Sequence, residues 1–134
     1  MPVELIRADD LYTGAPYAYA AVAGPGRLIC TAGACPIDAN GNVLGAGDYQ
    51  QQARHAMANL VTALAAAGAG LTDVLKTTVY VASADRGDLY DAWQVVRDSF
   101  GEHDAPSTLL GVAVLGWAGQ LVEIEAIAVA PGAR

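Results

Sequence analysis

The stretch LVEIEAIAVA at residues 121–130 constrains the fold most, because it has the composition and alternation of a buried β-strand. Successive side chains of a strand point to opposite faces of the sheet. One face of this strand is therefore entirely apolar and consists of Val122, Ile124, Ala126, Ala128 and Ala130. The other face combines two carboxylates with apolar neighbours: Leu121, Glu123, Glu125, Ile127 and Val129. The first face belongs to a core, and the second face needs an explanation.

Glu123 and Glu125 are unfavourable on so apolar a strand unless their charges are compensated. A carboxylate that is taken out of water without a partner costs several kcal/mol or takes up a proton. Glu123 therefore has two interpretations. It is either a general acid or base whose pKa is raised by apolar neighbours, or an interface carboxylate that backbone N–H groups satisfy.

The 134-residue chain is long enough for one domain with a proper core, since 54% of its residues are hydrophobic. We expect a single domain over residues 1–134. The formal net charge of −7 repels nucleic acid and anionic lipid. No segment has the pattern of a signal peptide or of a membrane span. These features predict a cytoplasmic protein that binds neither nucleic acid nor membrane.

Cys30 and Cys35 are the only cysteines. Along an extended strand they lie ~16 Å apart, at roughly 3.3 Å per residue, which is beyond the reach of a disulfide. Two free thiols fit a reducing compartment, and Cys30 is expected in the core. His55 and His103 complete the soft ligands, but the spacing of the four residues matches no zinc pattern. We expect neither a metal nor a cofactor, and we expect both histidines to be solvated.

The first half of the chain predicts three strands and a helix. Residues 3–48 alternate short apolar segments with turn signals such as Gly-Pro-Gly at 24–26. A capping pattern at Asp48 begins an amphipathic helix that ends at Gly68. Its apolar stripe consists of Tyr49, Ala53, Ala56, Met57, Leu60, Val61 and Leu64.

The second half predicts a strand, a helix and two further strands. The strand VLKTTVYVAS at 74–83 precedes a helix that ends at Gly101, and strands follow at 107–116 and 121–130. The second helix has an apolar stripe of Leu89, Ala92, Trp93, Val96 and Phe100. The order β-β-β-α-β-α-β-β predicts an α+β fold with both helices on one face of a mixed sheet. Because the other face would be bare, we expect a second copy of the chain to cover it.

Several segments, in this order, resemble the Rid family of reactive-intermediate deaminases, also known as L-PSP endoribonucleases. APYAYA at 15–20 is similar to the family's Gly-Pro-Tyr-x-x-Ala opening. Residues 31–60 are similar to its Ser-Gly-x-x-Pro, Asp-x-x-Gly and Gln-rich helix signature, and VLKTTVYV, APSTLLGVAVL and VEIEAIAV to its late strands. The resemblance spans almost the whole chain. It implies a chorismate-mutase-like fold that assembles as a homotrimer with three clefts between subunits.

The resemblance also implies roles for single residues. Glu123 corresponds to the acidic residue that positions or activates water in imine hydrolysis, so we favour the general acid or base there. For Glu125 we favour an interface position or a pair with a base such as Lys76. Tyr17 corresponds to the family's pocket tyrosine, and it could hydrogen-bond a ligand or pack through its ring. Cys35, where the implied cleft begins, could be a nucleophile or an acceptor wall, or it could simply be a small hydrophobe.

Three positions depart from the family pattern. Deaminating members have a Pro-x-Arg fifteen residues before the acidic residue, and this arginine grips the substrate carboxylate, but here the position is Thr108. The family serine is Ala32, and a polar pocket residue of the second helix corresponds to Trp93. A hydroxyl cannot replace a guanidinium group, whose charge-assisted bond is worth ~1.5–3 kcal/mol. We therefore expect a less polar cleft and poor activity on ordinary 2-imino acids. The candidate substrate-binding residues are Tyr17, Ala32, Gly33, Trp93, Ser107 and Thr108.

Three functions compete. The first is an enzyme for a small, largely uncharged imine, enamine or related carbonyl compound, in which Glu123 moves protons during hydrolysis or isomerisation and Thr108 and Tyr17 help to orient the substrate. The second is a trimer that only binds a small molecule and has lost deamination. The third is RNA cleavage, which the charge of −7, the lack of a basic stripe and the lack of a poised histidine pair argue against.

Overall fold

The computed structural model describes residues 3–132 of the chain. Its elements follow the predicted order: β1 Val3–Ile6, β2 Ala20–Ala23, β3 Arg27–Cys30, α1 Tyr49–Ala66, β4 Val74–Ala82, α2 Arg86–Phe100, β5 Ser107–Val112 and β6 Val122–Ala130, with a short 3-10 helix before β4. The α+β class and the element order are confirmed. The expected domain over 1–134 extends to residues 1–2 and 133–134, which lie outside the described residues.

Four strands form a mixed sheet in the order β3-β6-β4-β5. Strand β6 lies antiparallel between β3 and β4, whereas β4 and β5 are parallel. Parallel neighbours need a crossover connection, and α2 provides it. Strand β6, the stretch that the sequence marked as most constrained, is therefore paired on both sides.

Strands β1 and β2 form a separate two-stranded sheet, which differs from the single sheet that we expected. A Cβ atom at Gly26, in the turn between β2 and β3, would collide with the carbonyl oxygen of Ala130 at the end of β6. The chain after this turn thus runs directly against β6. Strand β3 takes β6 as its partner, and β2 pairs with β1.

Helix α1 begins at its predicted cap, and both helices end at the predicted glycines. The carboxylate of Asp48 accepts the Gln51 N–H at 2.9 Å and caps α1. Gly68, with φ of +86°, follows its last turn, and Gly101, with φ of +59°, ends α2. Both glycines adopt the left-handed region, in which a side chain is strained.

Both helices pack on the apolar face of the sheet and form the core. The predicted core face of β6 is buried and comprises Val122, Ile124, Ala126, Ala128 and Ala130. Val61 of the predicted stripe is 42% exposed, because it lies about 100° around the helix from the buried Leu60. A buried polar residue that the sequence did not suggest, Gln52, donates to the Gly119 carbonyl at 2.9 Å and accepts the Leu121 N–H at 2.6 Å. These bonds attach α1 to the turn that leads into β6.

No described segment covers most of the opposite face of the sheet. Leu28 is 68% exposed and Ile127 is 41% exposed. Cys30 is exposed as well, so its predicted core position is wrong. It pairs with Ile127 and alternates with Ile29, which packs toward the core, and it therefore points to the open face. Within residues 3–132, no helix is long and apolar enough to cross a membrane.

We predict that Leu60→Ala lowers the free energy of unfolding by about 2–5 kcal/mol, because it removes a fully buried side chain from the centre of the core. Val61→Ala, one residue later on the exposed side of α1, should change it by less than about 0.5 kcal/mol. Denaturant unfolding of both variants at one protein concentration measures the difference. Equal losses would contradict the observed orientation of α1.

Candidate functional site

Glu123 meets the loop after β3 on the open face of the sheet. The backbone of Ala34 exchanges two hydrogen bonds with Ile124, at 2.7 and 3.0 Å, and this bridge holds the loop against β6. The Cys35 sulfur then lies 3.3 Å from Oε1 of Glu123. A Cβ atom at Gly33 would collide with Oε2, so a larger residue there would force the Glu123 side chain to move. We call the group Gly33, Cys35, Gln120 and Glu123 the acidic corner.

Gln120 holds the same oxygen from the other side. Its Nε2 donates to Oε1 of Glu123 at 3.1 Å and to the Val122 carbonyl at 3.0 Å, and its own side-chain oxygen accepts the Trp117 N–H at 3.1 Å. Sequence reasoning missed Gln120. It lies in the turn before β6, where strand alternation no longer applies, and only the turn geometry brings it beside Glu123.

Cys35 is held as a protonated thiol. Loss of hydration through burial raises its pKa most, and the adjacent Glu123 carboxylate raises the pKa further. Its carbonyl accepts the Asn59 amide of α1 at 2.7 Å, which fixes its backbone. A thiol with a raised pKa is a weak nucleophile but a persistent hydrogen-bond donor. The geometry therefore favours none of the roles expected for Cys35. The protonated thiol is not poised as a nucleophile, and it donates a hydrogen bond instead of forming an acceptor or apolar wall.

The aromatic candidates lie elsewhere in the chain, around a hollow of about 560 Å³ between α2, the β1–β2 loop and the edge strand β5. The Tyr17 and Trp93 rings meet edge to face, with centroids 6.5 Å apart. Tyr17 thus packs through its ring. The hollow is lined by Pro16, Tyr17, Tyr90, Trp93, Ser107, Thr108 and Leu109, and we call it the aromatic hollow.

An ion pair holds the loop that carries Tyr17 in place. The Arg7 guanidinium donates to both carboxylate oxygens of Asp104, at 2.9 and 2.6 Å. The Asp104 carbonyl also accepts the Ala18 N–H at 2.8 Å. The guanidinium keeps the pKa of Asp104 below its usual range. The segment that leads into β5 and the loop before β2 are therefore attached to each other beside the hollow.

Thr108 has a positively charged neighbour, which revises the expectation of a less polar cleft. The Lys76 ammonium group donates to the Thr108 hydroxyl at 2.7 Å and to the Thr77 carbonyl at 3.1 Å. Burial lowers the pKa of Lys76. Ser107 points to the other side of β5, where its hydroxyl accepts that of the buried Thr77 at 2.7 Å. A cation therefore lies near the hollow, as a single ammonium rather than a planar guanidinium.

Glu125 has a different partner from the one expected. Its Oε1 accepts the Tyr80 hydroxyl at 3.1 Å, and the only ion pair among residues 3–132 is Arg7 with Asp104. The suggested Glu125–Lys76 ion pair is therefore wrong, although the charge of Glu125 still acts on Lys76 through space. Burial and Glu125 together raise the pKa of Tyr80.

Ala32 and His103 belong to neither of these two groups of residues. Ala32 is exposed next to Gly33 and lines neither the acidic corner nor the aromatic hollow. His103 was expected in solvent, but its Nε2 donates to the Val74 carbonyl at 2.8 Å, because the loop before β5 folds back over the start of β4. Within the described part of the chain, no three His, Cys, Asp or Glu side chains form a group that could hold a metal ion.

Within one protomer, the acidic corner and the aromatic hollow are separate. Glu123 lies on β6 and Thr108 lies on β5, with β4 between them. Two strand spacings correspond to about 10 Å across the sheet. The predicted site residues thus fall into two groups that a single small substrate does not bridge in one chain.

Comparison with known proteins identifies relatives over nearly the full chain. The family model described as Endoribonuclease L-PSP matches residues 8–130. A RutC family protein of Pyrococcus horikoshii is 36% identical over 84% of this chain and 86% of its own length. The human 2-iminobutanoate/2-iminopropanoate deaminase is 31% identical over 85% of this chain and 80% of its own length. A crystal structure of a Rid family protein of unknown function from Yersinia pestis is similar with a TM-score of 0.88 and 29% identity, covering 96% of this chain and 99% of that one.

We predict that Glu123→Gln makes the Cys35 thiol several-fold more reactive toward iodoacetamide at mildly alkaline pH. Removing the neighbouring negative charge lowers the raised thiol pKa, so more thiolate is present at a given pH. Alkylation rates are measured in a Cys30→Ser background, which leaves one thiol. Glu125→Gln is the matched control, because Glu125 does not contact Cys35. An unchanged rate in Glu123→Gln would contradict the contact between Cys35 and Glu123.

Proposed function

The chain belongs to the Endoribonuclease L-PSP family, the Rid family that its motifs resemble, and we propose that it is an enzyme that hydrolyses a small, largely uncharged imine or enamine. Its relation to a human imine deaminase supports an imine-deaminase-like activity. The identity of the substrate and the role of Glu123 go beyond that relation. The two free thiols fit the reducing cytoplasm that the sequence suggests.

The observation that carries this proposal is the environment of the Glu123 carboxylate. One oxygen, Oε1, accepts hydrogen bonds from Gln120 and Cys35, while Oε2 lies over the backbone of Gly33. Among the described residues no donor reaches Oε2, and no side-chain oxygen is left buried without a partner, so Oε2 keeps contact with solvent. A fixed carboxylate with one free oxygen suits proton transfer.

The proposed reaction requires only water and one proton carrier. Glu123 takes a proton from a water molecule. At the same time the water oxygen bonds to the imine carbon, and the C=N electron pair moves to nitrogen. The carboxylic acid then returns the proton to nitrogen. Collapse of the resulting carbinolamine forms C=O and releases ammonia, and the hydroxyl proton leaves with it. An enamine first tautomerises to the imine: protonated Glu123 gives its proton to the enamine carbon, and the resulting carboxylate takes a proton from the nitrogen.

We further propose a homotrimer in which the acidic corner of one protomer faces the aromatic hollow of its neighbour. The open sheet face carries exposed apolar side chains, such as Leu28 and Ile127, that favour coverage by another copy. The two halves of the site are also too far apart to act together within one chain. A contact between copies through the uncovered sheet face would bury these apolar side chains, and it would bring an acidic corner and an aromatic hollow together.

The charges argue for an uncharged substrate. Lys76 and Glu125 are one positive and one negative group on the same open face, so their long-range fields largely cancel. Glu123 adds a further negative charge, which disfavours a substrate carboxylate nearby. Without an arginine at Thr108, no bidentate contact to a carboxylate is available there. RNA, a polyanion, fits this surface and the net charge of −7 still less.

We predict that Glu123→Gln folds and assembles normally but loses about 10²–10⁴-fold in rate, the usual range for a general acid or base. Glu125→Gln should keep nearly the full rate and weaken assembly. The assay follows ammonia release from aldimines that a flavin amine oxidase generates from primary amines. Saturable binding of such compounds without any turnover would favour the alternative of a binding protein, and full activity of Glu123→Gln would exclude Glu123 as the proton carrier.

Subunit mixing tests the shared site. Glu123→Gln destroys the acidic corner, and Thr108→Tyr fills the aromatic hollow, so each variant alone should be inactive. When equal amounts are unfolded together and refolded, about a quarter of the sites in randomly mixed trimers combine two intact halves, and activity should return to about that level. A mixture as inactive as its components would show that the site lies within one chain. Light scattering on the unmodified protein should show a trimer, and a stable monomer would exclude the arrangement.

We predict that 2-iminobutanoate and 2-iminopropanoate are hydrolysed little faster than in buffer, because Thr108 offers no bidentate contact to their carboxylate. Thr108→Arg should increase the rate on these two compounds and lower the rate on uncharged aldimines. Amino acid oxidase generates the 2-imino acids, and ammonia release is followed as before. Rapid turnover by the unmodified protein would show that another group, with Lys76 the first candidate, holds the carboxylate.

A further inference from the structure

The Gln120 amide is held so firmly that it dictates the position of the Glu123 carboxylate. Gln120 is only 4% exposed, and its amide forms hydrogen bonds within the short segment that joins Trp117 to Glu123. Its side-chain oxygen accepts a backbone N–H from Trp117, so its nitrogen must be the atom that faces Glu123. The amide thus presents a donor, and never an acceptor, to Oε1.

The Cys35 thiol, in the loop after β3, approaches the same oxygen of Glu123 from the other side. Its sulfur lies 3.3 Å from Oε1 and 3.4 Å from the Gly33 carbonyl, and the Asn59 amide of α1 holds its backbone. Two donors from two different segments therefore converge on Oε1. Oε2, over the backbone of Gly33, receives neither of them.

We propose that Gln120 and Cys35 are positioning residues that clamp Oε1 of Glu123, so that Oε2 alone exchanges protons with the substrate. This inference rests on the proposed function of Glu123. Without the clamp the carboxylate regains rotation about its side-chain bonds, and the reactive oxygen spends less time at the required place. A small displacement of a reacting atom is enough to lower a rate by about 10²-fold.

The clamp predicts a specific pH dependence. As the pH rises through the raised pKa of the thiol, Cys35 loses the proton that it donates and becomes an anion beside Glu123. The rate should therefore fall at alkaline pH. The groups that face Cys35 are Glu123 from β6 and Gln120 and Trp117 from the preceding turn. Tyr80 on β4 also senses the charge of Glu123 and has a raised pKa, so it needs its own control.

The experiment measures kcat, KM and the pH profile for aldimine hydrolysis. Cys35→Ala and Gln120→Leu should each lower kcat about 10- to 100-fold with little change in KM, since they misplace the proton carrier without touching the substrate. Cys35→Ser keeps a donor and should recover most of the loss seen in Cys35→Ala. The alkaline fall in rate should persist in Tyr80→Phe and disappear in Cys35→Ala.

A double-mutant cycle separates positioning from a structural role. If Gln120 and Cys35 act only through Glu123, their replacement should not lower the residual rate of Glu123→Gln any further. A further loss of rate in the Glu123→Gln background would overturn the inference. Inactivity of both Cys35→Ala and Cys35→Ser would also overturn it, because it would identify the thiol as a nucleophile. Wild-type kcat in Cys35→Ala and Gln120→Leu, with Glu123→Gln inactive, would overturn the clamp alone. Full activity of Glu123→Gln would overturn the proposed function itself.

Discussion

The pairing of β6 on both of its edges is the constraint on which the rest of the structure depends. Hydrogen bonds to β3 and β4 fix its backbone, so its side chains must divide strictly between two faces. The apolar face is buried under α1 and α2, and the alternate positions must then point away from the helices. Glu123 and Glu125 lie on the open face because Ile124 and Ala126 belong to the core. The position of the carboxylates follows from the packing of their neighbours.

The open face accommodates these charges by local pairing with polar groups rather than by ion pairs. Glu125 accepts from the Tyr80 hydroxyl, and Glu123 accepts from an amide and a thiol. Neutral donors satisfy a carboxylate without cancelling its charge. The two acids nevertheless differ. Glu125 lies in the middle of the face, whereas Glu123 lies where the loop after β3 and the turn before β6 meet, and only Glu123 is enclosed on two sides.

Much of the fold could be read from periodicity, and the errors have identifiable causes. The caps at Asp48 and Gly101 and the apolar face of β6 required only local rules, and each is observed. Val61 was assigned to the core because an apolar residue at the edge of a stripe looks like a member of it. The prediction that Cys30 lies in the core relied on the apolar character of a free thiol. Which face of β3 is buried depends instead on the register between β3 and β6.

The sequence by itself determined the element order, the core face of β6 and the presence of two acids on its other face, because these follow from alternation along a continuous stretch of chain. Only the tertiary structure decided which groups surround those acids. Cys35 and Glu123 are 88 positions apart, and Lys76 and Thr108 are 32 apart. Such contacts depend on strand order and register, which are set by the packing of the whole sheet and leave no mark on the local sequence.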